Sequence, residues 1–458
     1  MKQLIRSISG IRGVVGASLI PETVIPHASA FAKWCDGGPI VLGYDGRPHG
    51  RLFADLVRAT LQSSGADVLD LGMVPTPTVQ LHTEHSAARG GIAITASHNP
   101  AEWNGLKFLT AEGVFLDAEQ NAKLFALADA GTRCETSWEE LGRAEAVGDA
   151  IEAHIQRVLD IPFLDLPAIR ARKLRVAVDA VNASGSVAVP MLLERMGCEV
   201  IRVACDGSGV FPHTPEPIPE NLVSLGEAVR SHGADLGIAV DPDADRIVLF
   251  NELGQPFGEE YSITTAAYAV LSTLGEGTDA RVAVNLSTTR AVDDVAAMFG
   301  AEVLRSPVGE INVVRRMKQH DAIVGGEGSG GVILPSVHAG RDSLVGAALV
   351  LHALARHGDT ASSFRGMLPD YVIRKFRYST EGLDTSTVLA RAAERFSGER
   401  LNTEDGVRID FQEGWVHLRS SNTEPIMRVI AEAKDADAAG RLAARVAAEA
   451  FGADTQAL

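Results

Sequence analysis

The sequence is poor in cysteine, has no long apolar run and carries no excess of positive charge, and each shortage removes a class of protein. Only Cys35, Cys134, Cys198 and Cys205 occur in 458 residues, far apart and with no Cys-x-x-Cys pair. A disulfide framework is therefore not expected, and a reducing compartment fits. No run of roughly 18 apolar residues exists, so no membrane span is expected. The opening Met1-Lys2-Gln3-Leu4-Ile5-Arg6 lacks the apolar core of a signal peptide, and the expectation is a cytoplasmic protein. The formal net charge of −17 argues against nucleic acid or an anionic membrane surface as the main partner. It leaves room for a small anionic substrate, because local arginines and lysines can invert the field in one cleft.

What is abundant is glycine, 45 residues, within a chain that is 46% hydrophobic. That combination suits an α/β protein with many tight loops. At about 100–200 residues per domain, three or four domains are expected, each long enough for its own core. A strand–helix–strand pattern recurs three times. It runs from Ile40–Asp45 to Gly65–Gly72, from Leu174–Asp179 to Gly197–Val203, and from Arg281–Asn285 to Gly300–Leu304. Helical periodicity fills each interval, as with Phe53, Leu56, Val57 and Leu61. Such units imply parallel crossovers in mostly parallel or mixed sheets. From about Tyr371 the pattern changes to short strands, Val407–Phe411, Gly414–Arg419 and Met427–Ala433, closed by a helix over Ala436–Phe451. The expected architecture is three similar α/β domains with mixed sheets, 1–153, 154–253 and 254–370, plus a C-terminal α+β domain, 371–458.

Each repeat is followed by another apolar strand that ends in a polar loop. Gly91–Ile94 runs into Thr95-Ala96-Ser97-His98-Asn99-Pro100. A serine at the carboxyl end of a buried strand lies where open α/β sheets present ligands. Leu236–Val240 runs into Asp241-Pro242-Asp243-Ala244-Asp245-Arg246. Three carboxylates at alternate positions converge only if the backbone curls, and they then repel one another unless a cation is bound. Oxygen-only ligands suit Mg²⁺, while the spacing excludes an EF-hand. Ala322–Val324 runs into Gly325-Gly326-Glu327-Gly328-Ser329-Gly330-Gly331, where glycine lets backbone approach a ligand and Glu327 and Ser329 suit sugar hydroxyls. A fourth loop, Arg419-Ser420-Ser421-Asn422-Thr423-Glu424-Pro425 with Arg428 beyond, offers the guanidinium, hydroxyl and amide groups of a phosphate cradle. Together these groups indicate phosphoryl transfer on a sugar phosphate, which needs positioning and charge neutralisation above all. A Mg-dependent sugar phosphatase with Asp241 as nucleophile stays open at this point. A non-catalytic sugar-phosphate binder would be expected to have lost Ser97 or a carboxylate, and neither is lost.

The four loops in this order resemble the α-D-phosphohexomutases, the family of phosphoglucomutase, phosphomannomutase and phosphoglucosamine mutase. Gly10-Ile11-Arg12-Gly13, Asn104-Gly105-x-Lys107 and Asp45-x-Arg47 match further family positions, and the likeness covers essentially the whole chain. The resemblance implies four domains around one cleft, a resting phosphoserine at Ser97, and Mg²⁺ held by that group with Asp241, Asp243 and Asp245. It implies that Ser97 passes its phosphoryl group to a hexose monophosphate, with a hexose 1,6-bisphosphate as intermediate and activator. Arg12 and Lys107 are expected to handle protons and charge, with His98 and Arg246 beside them. Glu327 and Ser329 are expected on sugar hydroxyls, and Arg419, Ser421, Asn422, Thr423 and Arg428 on the remote phosphate. Gly331 stands where many members carry histidine, and this loop resembles the branch called archaeal-type phosphoglucosamine mutase. Ser7–Gly13, Phe257–Tyr261 and Gly340–Leu344 point the same way, with His338 expected in the missing histidine's role. Glucosamine phosphate is the first expectation and glucose or mannose phosphate the alternative. A monomer and a homodimer are both compatible with the sequence.

Overall fold

The structure, a computed structural model, describes residues 4–275, 277–420 and 425–452. These pack as two compact units, Met1–Thr273 with Ser329–Arg365, and Leu274–Gly328 with Gly366–Leu458.

The first unit opens with seven strands: β1 (Ile5–Ser7), β2 (Gly10–Val14), β3 (Ile40–Tyr44), β4 (Val68–Met73), β5 (Gly90–Ile94), β6 (Trp103–Thr110) and β7 (Ala144–Ala146). Their order is β1-β2-β6-β5-β3-β4-β7. β3 is parallel to β4 and β5, whereas β6 runs antiparallel to β5 and β2. Alternation along the central strands feeds two cores. Ile40, Leu42, Ile92 and Ile94 join Phe31, Leu61 and Phe108 on one face, while Val41 and Ala93 join Val79 and Leu109 on the other. This two-sided burial explains why β3 and β5 read as continuous apolar runs. A second sheet follows, with β8 (Arg175–Asp179), β9 (Glu199–Ala204), β10 (Leu236–Val240) and β11 (Ile247–Asn251) in the order β11-β10-β8-β9.

In the second unit β12 (Arg281–Asn285) lies between the parallel strands β13 (Glu302–Ser306) and β14 (Val324–Glu327). The chain then returns to the first unit with β15 (Gly331–Ile333), which packs against the helices Tyr261–Leu271 and Ser343–His357. The last five strands, β16 (Val372–Ser379), β17 (Arg400–Asn402), β18 (Val407–Asp410), β19 (Gly414–Ser420) and β20 (Ile426–Ala433), form an antiparallel sheet ordered β16-β20-β19-β18-β17. Helices Thr385–Arg395 and Ala436–Phe451 cover one of its faces. The fold is thus α/β with mixed and parallel sheets, followed by an α+β region.

Two local features differ from the sequence reading. Arg12, whose glycine-bracketed setting reads as a loop, lies in β2 and pairs in register with Gly105 on β6. Glycine is a poor strand former taken alone, but here it is required: Gly10 has φ +88, and a Cβ there would stand 2.1 Å from the Leu106 carbonyl oxygen. The second feature is β6 itself, whose mixed sequence carries no clean period and which is held by strands on both sides. All four cysteines are free, and burial pushes Cys35 and Cys198 up to about 12. Among the described residues no helix is long and apolar enough to cross a membrane.

Candidate active site

The loop after β5 holds Ser97 in a left-handed conformation, φ 49, which serine rarely adopts. Surrounding hydrogen bonds impose it. The Ser97 amide donates to Thr95 Oγ1 at 2.8 Å, and that hydroxyl donates to Asp45 Oδ2 at 2.7 Å. Arg47, 1% exposed, lies behind the loop. Its guanidinium donates to the carbonyls of Ser97 (2.6 Å), Asn99 (2.7 Å), Pro100 (2.8 Å) and Trp103 (3.0 Å), and its Nε to Asp45 (3.0 Å). The Ser97 hydroxyl faces the next loop and donates to Asp241 Oδ2 at 2.9 Å; His98 Nδ1 stands 3.3 Å from it.

Asp241, Asp243 and Asp245 follow β10 and are fully buried, with one oxygen of each within 4.8 Å of the others. Ala244, at φ 51, supplies the curl. Lys107 reaches them from β6, its Nζ donating to Asp243 Oδ2 at 2.7 Å and lying 3.4 Å from Asp245 Oδ2. Thr76 Oγ1 donates to Asp243 Oδ2 at 2.8 Å, and Arg341 Nη2 to Asp245 Oδ2 at 2.5 Å. The Arg246 amide donates to Asp241 Oδ1 at 3.2 Å. Asp243 Oδ1 and Asp245 Oδ1 are buried and, among the described residues, accept no hydrogen bond, though Arg246 Nε lies 3.7 Å from Asp245 Oδ1. Two carboxylate oxygens without hydrogen bonds in an all-oxygen set fit a hard divalent cation such as Mg²⁺.

Electrostatics supports that fit. Burial, then repulsion from Asp245 and Asp243, pushes Asp241 well above the usual carboxylate range. Burial also pushes Asp245 upward, but Arg341, Lys107 and Arg246 together hold it below its ordinary value. Lys107 is desolvated, yet Asp243 and Asp245 raise its pKa and keep it cationic. Three close carboxylates thus leave one that resists ionising, a strain that a cation relieves.

The other expected residues divide between the two units. In the first, Arg12 Nη1 donates to Asn99 Oδ1 at 3.2 Å, and burial, then the Arg246 charge, lowers its pKa. The Arg246 charge, followed by burial, takes His98 down to about 2, so its imidazole is neutral. Ser329 is half-buried, and the next residue, Gly330, accepts the Ile247 amide at 2.9 Å, two residues beyond Asp245. His338 is 2% exposed, with Nε2 3.1 Å from Asp342 Oδ2, an oxygen that His154 Nε2 approaches to 2.8 Å. Through that contact it supports the carboxylate capping the helix Ser343–His357. In the second unit Glu327 ends β14, its Oε1 accepting from Asn285 Nδ2 (2.8 Å) and the Gly309 amide (3.0 Å). Arg419 on β19 donates from Nε to Asp405 Oδ1 at 3.0 Å, and Arg428 is exposed on β20. Ser421, Asn422 and Thr423 lie outside the described residues.

Sequence reasoning missed Thr76 and Thr95 as supports, and gave Asp45, Arg47 and Arg341 no physical role. Arg47 and Arg341 carried the one usable signal, an arginine beside an aspartate in a glycine-rich turn. Thr76 carried none.

A buried serine hydroxyl against a carboxylate triad, at the ends of strands in successive α/β sheets, defines a phosphoryl-transfer enzyme of the α/β class. Family models described as phosphoglucomutase/phosphomannomutase alpha/beta/alpha domains I, II and III match residues 4–133, 152–254 and 258–371, and the model of the C-terminal domain matches 380–449. The chain belongs to this family of phosphohexomutases, which are isomerases. It is 36% identical over 438 residues to a phosphoglucomutase/phosphomannomutase of Thermococcus kodakarensis, covering 94% of each chain. It is 35% identical over 437 residues to a probable phosphoglucosamine mutase of Methanopyrus kandleri, covering 95% of each. A crystal structure of a phosphoglucomutase/phosphomannomutase family protein from Burkholderia thailandensis superposes with TM-score 0.85 at 26% identity, over 98% of this chain and 100% of that one. The fold is also shared with Aspergillus fumigatus N-acetylphosphoglucosamine mutase, solved with GlcNAc-6P and magnesium, at TM-score 0.59 and 17% identity over 96% of this chain and 94% of that one.

Proposed function

We propose that this enzyme interconverts glucosamine 6-phosphate and glucosamine 1-phosphate, with Ser97 as the phosphoryl carrier and a hexose 1,6-bisphosphate as intermediate and activator. The observation that carries the reading is the Ser97 hydroxyl at 2.9 Å from Asp241, beside two carboxylate oxygens without hydrogen bonds. In the first half-reaction the bond from phosphorus to Ser97 Oγ breaks and one forms to the free sugar hydroxyl, whose proton is given up while Ser97 Oγ takes one up and becomes a hydroxyl. The second half reverses these changes at the other end of the sugar, returning its original phosphoryl group to Ser97. Asp241, Asp243 and Asp245 would hold Mg²⁺, which when bound neutralises charge on the phosphoryl oxygens. Lys107, kept cationic, stabilises the same charge. Arg12, whose pKa is drawn downward, takes part in proton handling. His98, being neutral, contributes hydrogen bonding and no charge. Glu327 and Ser329 bind sugar hydroxyls, and the loop from Arg419 to Thr423 with Arg428 holds the phosphate away from the reaction.

The phosphatase reading is weakened by the partners of Asp241. Both its oxygens already accept hydrogen bonds, from Ser97 and from the Arg246 amide. The choice of sugar rests on the Gly331 form of the third loop. The Thermococcus relative keeps glucose and mannose phosphates as the second reading. The deciding experiment compares kcat/KM for glucosamine, glucose and mannose monophosphates, with Mg²⁺ and a trace of the matching bisphosphate. A preference for glucosamine phosphate of about a hundredfold, or about 3 kcal/mol in transition-state binding, supports the proposal. Comparable turnover of glucose and mannose phosphates with glucosamine phosphate poor overturns it. Phosphate release without isomerisation would revive the phosphatase.

A further inference from the structure

Three arginines stand side by side on one face of the C-terminal sheet. β20 lies between β16 and β19, and Arg428 on β20 is directly opposite Arg377 on β16 and Arg419 on β19. Directly opposed residues of antiparallel strands share a face, with Cβ atoms about 4.5–5.5 Å apart. Alternation settles which face: Met427, Val429, Ala431 and Ala433 enter the core with Val416 and Leu418, so Arg428 and its neighbours point away from it. Arg377 and Arg428 are exposed, and among the described residues neither has a carboxylate partner; Arg419 is bound to Asp405.

Like charges directly opposed destabilise a sheet. A chain with 59 acidic residues has ample means of placing a carboxylate opposite Arg428, and it places two arginines there instead. β16 is an edge strand, and charge on an edge prevents strand addition. A glutamate at 377 would serve that purpose equally and would also pair with Arg428. The row therefore fits an anion with several acceptor oxygens, which guanidinium forks bind in pairs of hydrogen bonds. Arg419 and Arg428 are two of the residues proposed above for the remote phosphate.

We propose that Arg377 is a third arginine of this phosphate site and binds the phosphate of the hexose phosphate that is not being transferred. The inference rests on the mutase reading. It adds a residue from a separate strand, more than 40 positions before the loop in sequence.

The test uses the full-length enzyme with R377Q, R377K, R428Q and, as control, R374Q, which removes the same charge from the same strand on its other face. Two quantities are read: KM and kcat for the preferred hexose phosphate, and the rise in Tm caused by inorganic phosphate. R377Q is expected to raise KM about tenfold with kcat changed less than about threefold, R377K to recover part of that loss, and R374Q to stay near the parent. Without phosphate, R377Q should melt no lower than the parent, since a repulsive pair is removed, and its phosphate-induced rise in Tm should shrink. An unchanged KM and phosphate response in R377Q, while R428Q loses both, overturns the inference and leaves the mutase reading intact. A lower Tm with an unchanged phosphate response gives Arg377 a merely structural role and also overturns it. A parent enzyme without mutase turnover overturns the underlying reading instead, and the phosphate response of R377Q then still decides whether the anion site exists.

Discussion

Ser97 owes its position to side chains packed behind its loop. Arg47 satisfies four loop carbonyls and is itself neutralised by Asp45. Arg47→Met would strip the guanidinium bonds from those carbonyls and the only cation paired with the buried Asp45 among the described residues, and losing one member of a buried pair costs about 3–5 kcal/mol. Chemical denaturation should show that loss, and turnover of the variant that still folds should fall by about a hundredfold or more as Ser97 loses its orientation. Ser97→Ala leaves packing almost unchanged, so normal stability with at least about a thousandfold lower isomerisation is expected; full activity in that variant would refute the phosphoserine route. The Asp241–Asp243–Asp245 cluster predicts a metal response measurable without turnover. Mg²⁺ should raise Tm, since it binds only the folded triad, and Asp243→Asn should diminish that rise.

At the scale of elements, the helix Ser343–His357 shows how the loop of three aspartates is buttressed. Asp342 caps it by accepting the Leu344 and Val345 amides on Oδ1, while His154 and His338 converge on Oδ2. The preceding residue, Arg341, bonds Asp245. Asp342→Ala removes a helix cap and leaves two buried imidazoles without their shared acceptor, so a loss of about 2–4 kcal/mol is expected by urea titration. Part of this level was legible in advance. Arg281–Asn285, Leu236–Val240 and the helix Ala436–Phe451 begin and end where their apolar periods begin and end. β2 and β6 were not legible, because glycines and polar residues make up much of them. Pairing partners, rather than propensity, hold them in place.

For the molecule as a whole, one contribution to acid sensitivity comes from a buried histidine between the parallel and antiparallel sheets of the second unit. His417 Nδ1 stands 2.9 Å from Ser287 Oγ and Nε2 2.6 Å from the Asp405 carbonyl, and burial lowers its pKa from 6.5 to about 4. As pH falls below 6.5 the unfolded chain takes up this proton first, while the folded protein resists it until about 4. Stability from this group therefore declines across that window, by up to roughly 3 kcal/mol, and levels off below it. Denaturation midpoints measured from pH 7 to pH 4 should fall less steeply in His417→Gln than in the parent.

The sequence by itself determined the α/β repeats, the antiparallel close of the chain and the family. Those features are local: hydrophobic period, turn residues and donor atoms clustered within a few positions. Only the tertiary structure decided that Arg12 lies in a strand, that Arg47 and Thr76 hold the site from behind, that His154 reaches Asp342, and that Arg377 faces Arg428. Each depends on two segments far apart in the chain meeting at one register, and register is fixed by which face of each strand the core demands.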